Sequence, residues 1–109
     1  MRRLGRLKHR IDLLQKVEEL DSLGRQKREQ ANWQLVAKVW AEVRDVSAVE
    51  IEKAKQMVGT ATTAIAIRYR EGVTMQMRVR FGSRIMEIRS VLDSDNSRRE
   101  LILLCGEIK

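Results

Sequence analysis

The sequence predicts a mainly β fold: a small antiparallel barrel or sandwich of about six strands with one short helix and a long mobile loop between the first two strands. Three observations carry the prediction. The run Met75, Met77, Val79, Phe81 alternates strictly with Gln76, Arg78 and Arg80, the period of a half-buried strand. Gly82-Ser83 follows at once, a two-residue hairpin loop with Gly where φ must be positive. Short strand-like runs then recur between turn clusters. At 109 residues, 43% of them apolar, the chain fits one domain, 1–109, around one core.

Residues 1–9 form a basic N-terminal arm with Arg2, Arg3, Arg6 and Lys8, broken only by Gly5. From Arg10 to Val17, Ile11, Leu13, Gln15 and Val17 alternate imperfectly with Arg10, Asp12, Leu14 and Lys16, which predicts the first strand. The pattern fails over 18–34. There the only apolar side chains up to Gln30 are Leu20 and Leu23, among Asp21, Arg25, Lys27 and Arg28, and Gly24 interrupts any helix. With no apolar stripe to dock it, this stretch reads as a loop mobile in the free protein; a tolerated surface insertion is the alternative.

Leu35 to Val46 fits two periods. Leu35, Val39, Val43 and Val46 make a helical stripe, whereas Ala37, Val39, Ala41 and Val43 make one face of a strand. The valines favour strand. Ser47-Ala48-Val49-Glu50 has the capping-box pattern, opening a short helix over 48–57 with Ile51, Ala54 and Met57 or Val58 on one side and Gly59 as its stop.

The remainder reads as β. Ala61, Thr63, Ile65, Ile67 and Tyr69 alternate with Thr62, Ala64, Ala66, Arg68 and Arg70. If Gly82-Ser83 is the loop, Phe81 faces Arg84 and the register follows: Val79 faces Met86 and Met77 faces Ile88, both apolar pairs, while Arg78 faces Glu87, an opposite-charge pair, and Gln76 faces Arg89. The return strand is Arg84 to Val91, Asp93 to Ser97 is a turn cluster, and Glu100 to Glu107 closes the fold, apolar on both faces. A hairpin through Glu71 to Met75 would set Arg68 opposite Arg78, with Arg70 and Arg80 beside them. That arginine cluster is either a solvated outer face or a docking surface for acidic protein or nucleic-acid phosphate. Trp40, on the face away from Val39 and Val43, is an interface anchor or packs beneath the helix.

The composition excludes several classes. The longest unbroken apolar stretch is Leu101 to Cys105, far short of the roughly 20 residues of a membrane span. No apolar signal follows Met1-Arg2-Arg3, so secretion is not expected. One His and one Cys leave no internal disulfide and no protein-only zinc site; no cofactor is expected. His9 has no nucleophile partner, Cys105 sits in an apolar run, the glycines are scattered, and Glu18, Glu19, Glu50 and Glu52 look like solvated faces, so an enzyme is not expected. The net charge of +7 points to acidic or polyanionic partners. Base stacking needs outward aromatics, and on the alternation Tyr69 and Phe81 point inward.

Several segments resemble the phage head–tail joining family, also called head-closure or stopper proteins. They are Val39-Trp40-Ala41-Glu42-Val43, Ile67-Arg68-Tyr69-Arg70-Glu71-Gly72-Val73-Thr74, Met77-Arg78-Val79-Arg80-Phe81-Gly82-Ser83-Arg84, and Glu87-Ile88-Arg89-Ser90-Val91 on through Arg98-Arg99-Glu100-Leu101 to Cys105. Leu4-Gly5 to Ile11 is similar to the family's opening. The resemblance runs in the family's order over nearly the whole chain, although Asp45-Val46 and Glu71 stand where members often carry Pro. It implies a virion structural protein, assembled in the host cytoplasm into a ring of the phage neck; because the single subunit lacks a large apolar patch, the isolated chain is expected to be monomeric until it meets its portal-side partner. The ring lies below the portal or its adaptor, meets a tail terminator or completion protein, encircles packaged double-stranded DNA, and involves no membrane. In some members the long loop gates the channel; Leu20, Asp21, Leu23, Gly24, Arg25, Lys27 and Arg28 occupy that position. The alternative function is a small-barrel nucleic-acid-binding module using the arginine-rich face.

Overall fold

The computed structural model describes residues 7–17, 32–54, 57–93 and 98–108. Along them run β1 (His9–Val17), β2 (Asn32–Asp45), α1 (Ala48–Lys53), β3 (Thr63–Arg68), β4 (Arg78–Phe81), β5 (Arg84–Asp93) and β6 (Glu100–Glu107). The strands close into a barrel in the order β1-β2-β3-β6-β5-β4, every pairing antiparallel. The expected β class, six strands and single short helix are all present.

Alternation decides what fills the barrel. Ile11 and Leu13 from β1, Ile65 and Ile67 from β3, Val79 from β4, Met86 and Ile88 from β5, and Leu101, Leu103 and Cys105 from β6 meet in one buried cluster. Tyr69 and Phe81 pack against it, facing inward as expected. A second cluster explains why β6 is apolar on both faces. Ala64, Ala66, Ile102 and Leu104 point outward from β3 and β6, and Val46, Ala54 and Met57 of the connection carrying α1 cover them.

The β4–β5 hairpin has the expected register. Phe81 pairs with Arg84, Val79 with Met86 and Arg78 with Glu87, and Gly82 takes a φ of 61°, as the first position of this loop type requires. The Ile88 amide donates to the Met77 carbonyl at 3.4 Å, which continues the match one step further.

Four expectations are corrected. β3 and β4 are not neighbours: β3 lies between β2 and β6, and β4 lies between β1 and β5, so Arg68 does not oppose Arg78. Arg68 stands opposite Glu100 instead. β4 starts at Arg78 rather than Met75, because Thr74 to Met77 closes a turn in which the Met77 amide donates to the Thr74 carbonyl at 3.2 Å and the Thr74 hydroxyl accepts from Gln76. β2 begins at Asn32, three residues inside the stretch read as loop.

The fourth correction is the helix. It ends at Lys53, well before Gly59, with Ala54 extended as its cap. The capping box is present, yet the buried residue is Glu50, while Val49 is 57% and Ile51 36% exposed. Glu50 is drawn in by Arg44, whose Nη1 donates to Oε1 at 2.7 Å and whose Nη2 donates to Oε2. The Ser47 amide and hydroxyl also donate to Oε1, at 3.0 Å each. Three residues read into the arm, 7–9, belong to the described chain, and His9 opens β1. The rest of the arm, loop residues 18–31 and turn residues 94–97 lie outside the described residues.

Candidate partner-docking surface

Trp40 faces out of the barrel because its neighbours face in: Ala41 is buried and Val39 packs on the core. It is 52% exposed and does not lie beneath α1. Arg10 stands opposite it across the β1–β2 pairing, with the guanidinium carbon 4.9 Å from the ring centroid, within cation–π range. Beyond Trp40 opens a cleft of about 480 Å³ lined by Leu7, Val39, Trp40, Arg68, Tyr69 and Arg70. Its shape is held from behind by Tyr69, whose ring packs on the core and whose amide donates to the Arg99 carbonyl at 3.1 Å.

The structure therefore brings Arg68, Arg70 and Trp40 together and takes Arg78 and Arg80 elsewhere. The Arg80 Nη2 lies 2.8 Å from Asp12 Oδ2, and Lys38 Nζ lies 3.3 Å from Oδ1, so Asp12 ties β1 to both of its neighbours. Burial raises the pKa of Asp12, but hydrogen bonds from Arg80 and Lys38 outweigh it and hold the carboxyl below its ordinary value. Arg78 lies over the Trp33 ring at 4.0 Å and reaches Glu87 at 3.8 Å. It helps line a second cleft of about 440 Å³ with Trp33, Met75, Gln76, Glu87 and Arg89. Among the described residues, Arg10, Arg68 and Arg70 contact no carboxylate.

Sequence reasoning missed Arg10 and the Asp12 ladder. The signal was present, since Arg10 and Asp12 share the outward face of β1, but their partners follow only from the barrel's closure. The expected loop residues Leu20, Asp21, Leu23, Gly24, Arg25, Lys27 and Arg28 lie outside the described residues. His9 packs edge-on against Phe81 with centroids 5.2 Å apart, and burial pushes the Cys105 thiol up to about 12. Among the described residues no three His, Cys, Asp or Glu side chains converge to hold a metal.

The model of the phage head completion protein family matches residues 2–108. The chain belongs to that family. The likeness noted above in short segments thus extends over nearly the whole of this head completion protein, which has a structural role in head closure. Its barrel is similar to the solution structure of a Shigella flexneri 2a protein, with 27% identity, a TM-score of 0.74, and coverage of 97% of this chain and 96% of that one. It is also similar to a chain in the virion of a native gene transfer agent particle, with 24% identity, a TM-score of 0.65, and coverage of 94% and 96% respectively; at that identity the likeness concerns the fold. No curated protein matches the head completion chain.

Proposed function

We propose that this head completion protein assembles as a ring in the phage neck, beneath the portal or its adaptor, where it closes the DNA-filled head and presents the surface that receives the tail terminator or completion protein. The observation that carries this reading is the β1–β2 ribbon. Among the described residues, Gln15 to Val17 pair with Asn32 to Gln34 and with no other strand, so the barrel holds out two unflanked strands with residues 18–31 between them in the chain. A ring formed on a partner would bring those segments together around the channel, where Arg25, Lys27 and Arg28 would meet packaged DNA and Leu20, Asp21, Leu23 and Gly24 would form the gate. Head-to-tail contacts that close make rings; on this proposal the chain is monomeric until its portal-side partner seeds one.

The reading as a nucleic-acid module has less support. Tyr69 and Phe81 pack on the core, and Arg78 and Arg80 already have carboxylate partners. The decisive experiment is electron microscopy of DNA-packaged heads made without this protein. Tailless heads that leak DNA are expected; filled, tailed, infectious particles would refute the proposal.

A further inference from the structure

Not all of the outward arginines are available to a partner. Arg80 is tied to Asp12, and Arg78 is stacked on Trp33 and turned toward Glu87. Arg10, Arg68 and Arg70 have no carboxylate among the described residues, and they surround an indole that is half exposed at the lip of a cleft. Arg68 and Arg70 line one cleft, and an anionic partner offsets their like charge.

We propose that the cleft between Trp40 and Arg70 receives an acidic peptide segment of a partner protein, with carboxylates on either side of one apolar side chain. This rests on the head-completion reading only for which virion protein supplies the segment. The guanidinium fork pairs with carboxylate and phosphate alike, and two features favour a peptide. The floor of Leu7, Val39 and Tyr69 offers an apolar seat that a phosphate backbone has no group to fill. The space, about 480 Å³, admits a few side chains and excludes a duplex, whose phosphates lie on a convex surface. Trp40 is the anchor, being large, rigid and already oriented by Arg10.

The test uses the purified full chain and a displayed library of random peptides. Enriched peptides should carry acidic residues flanking a leucine or an aromatic. They should bind Arg68→Ser with Arg70→Ser about tenfold or more weakly, while Arg80→Ser, checked as folded by circular dichroism, binds as the wild type does. Trp40→Phe serves as a milder second variant and should weaken binding if the double variant does not fold. Enrichment without acidic bias, equal binding to every variant, or a DNA duplex that displaces the best peptide from the wild-type cleft would overturn the proposal. These outcomes are separable from head closure. A failed selection leaves the leaking of heads untouched, and heads that close without the protein leave the peptide result standing.

Discussion

The side chain of Arg89 crosses Gly106 so closely that a Cβ there would stand 2.5 Å from Arg89 Nε and 2.6 Å from the Thr60 carbonyl oxygen. Arg89 is the extra residue where the β5–β6 register shifts between Ile88 and Ser90, a bulge that re-aims a side chain. Its Nη1 donates to the Val58 carbonyl at 3.3 Å and its own carbonyl accepts the Val58 amide at 3.2 Å. The bulge thereby fastens the connection after α1 to the outside of the barrel.

Gly106→Ala should therefore cost about 2 kcal/mol, the range for overpacking against a backbone that cannot withdraw. Gly72→Ala is the control: nothing lies within 4 Å of its Cβ position, and only its φ of 88° resists a side chain, a strain of about 1 kcal/mol. Urea denaturation of both variants decides the matter. Equal losses would show that the Arg89 crossing carries no weight.

Glu50 makes stability depend on acid. The Arg44 guanidinium, outweighing a burial that would raise it, joins the Ser47 amide and hydroxyl in holding this carboxyl at about 2, against an ordinary 4.5. A folded-state value below the unfolded one means the stabilisation is complete above about pH 4.5 and disappears as pH falls toward 2. Because Arg44 is 35% exposed, solvent screens the pair, and Glu50→Gln should cost about 2 kcal/mol at neutral pH rather than the full shift. Urea midpoints between pH 6 and pH 2.5 should fall more steeply for the wild type than for the variant. Parallel slopes would remove Glu50 from the account of acid sensitivity.

How far the fold was legible depended on how local the determinant was. The Gly82-Ser83 loop fixes its own register, so Val79 against Met86 and Arg78 against Glu87 followed from the sequence alone. The capping box of Ser47 and Glu50 was legible for the same reason. Adjacency across the barrel was not. The hairpin reading joined Tyr69 to Met77 because consecutive strands usually pair, whereas closure gives β3 to β6 and β4 to β1. That one choice dispersed the expected arginine cluster. The burial of Glu50 was hidden likewise, since Arg44 comes from the end of the preceding strand rather than from the helix. For Trp40 the outward direction was legible from alternation, but Arg10 as its stacking partner required the β1–β2 register.

Cys105 offers a direct probe of the barrel interior. The thiol is fully buried between β3 and β5 and donates to the Leu103 carbonyl, at 3.6 Å. Desolvation outweighs the opposing influence of Arg89 and pushes it up to about 12, so almost no thiolate forms at neutral pH. Labelling with a thiol reagent at pH 8 should be negligible in the native protein and complete in denaturant, with intermediate urea reporting the opening of the barrel. Rapid labelling without denaturant would mean that β6 opens far more readily than its two-sided burial implies.

Docking and folding are separable at Trp40. Half of the side chain already meets water and its ring contact is the Arg10 stack, worth about 0.5–1 kcal/mol at an exposed site. Trp40→Ala should therefore shift unfolding free energy by less than about 1 kcal/mol, whereas Leu13→Ala, at 0% exposure, should cost about 3 kcal/mol or more. If Trp40 anchors a partner, the order reverses in assembly. Heads complemented with Trp40→Ala should contain soluble, folded protein yet lose most of their infectious yield. Heads complemented with a milder core variant, Ile65→Val, should lose thermal stability before yield. Full infectivity with Trp40→Ala would mean that the exposed indole has no partner in the particle.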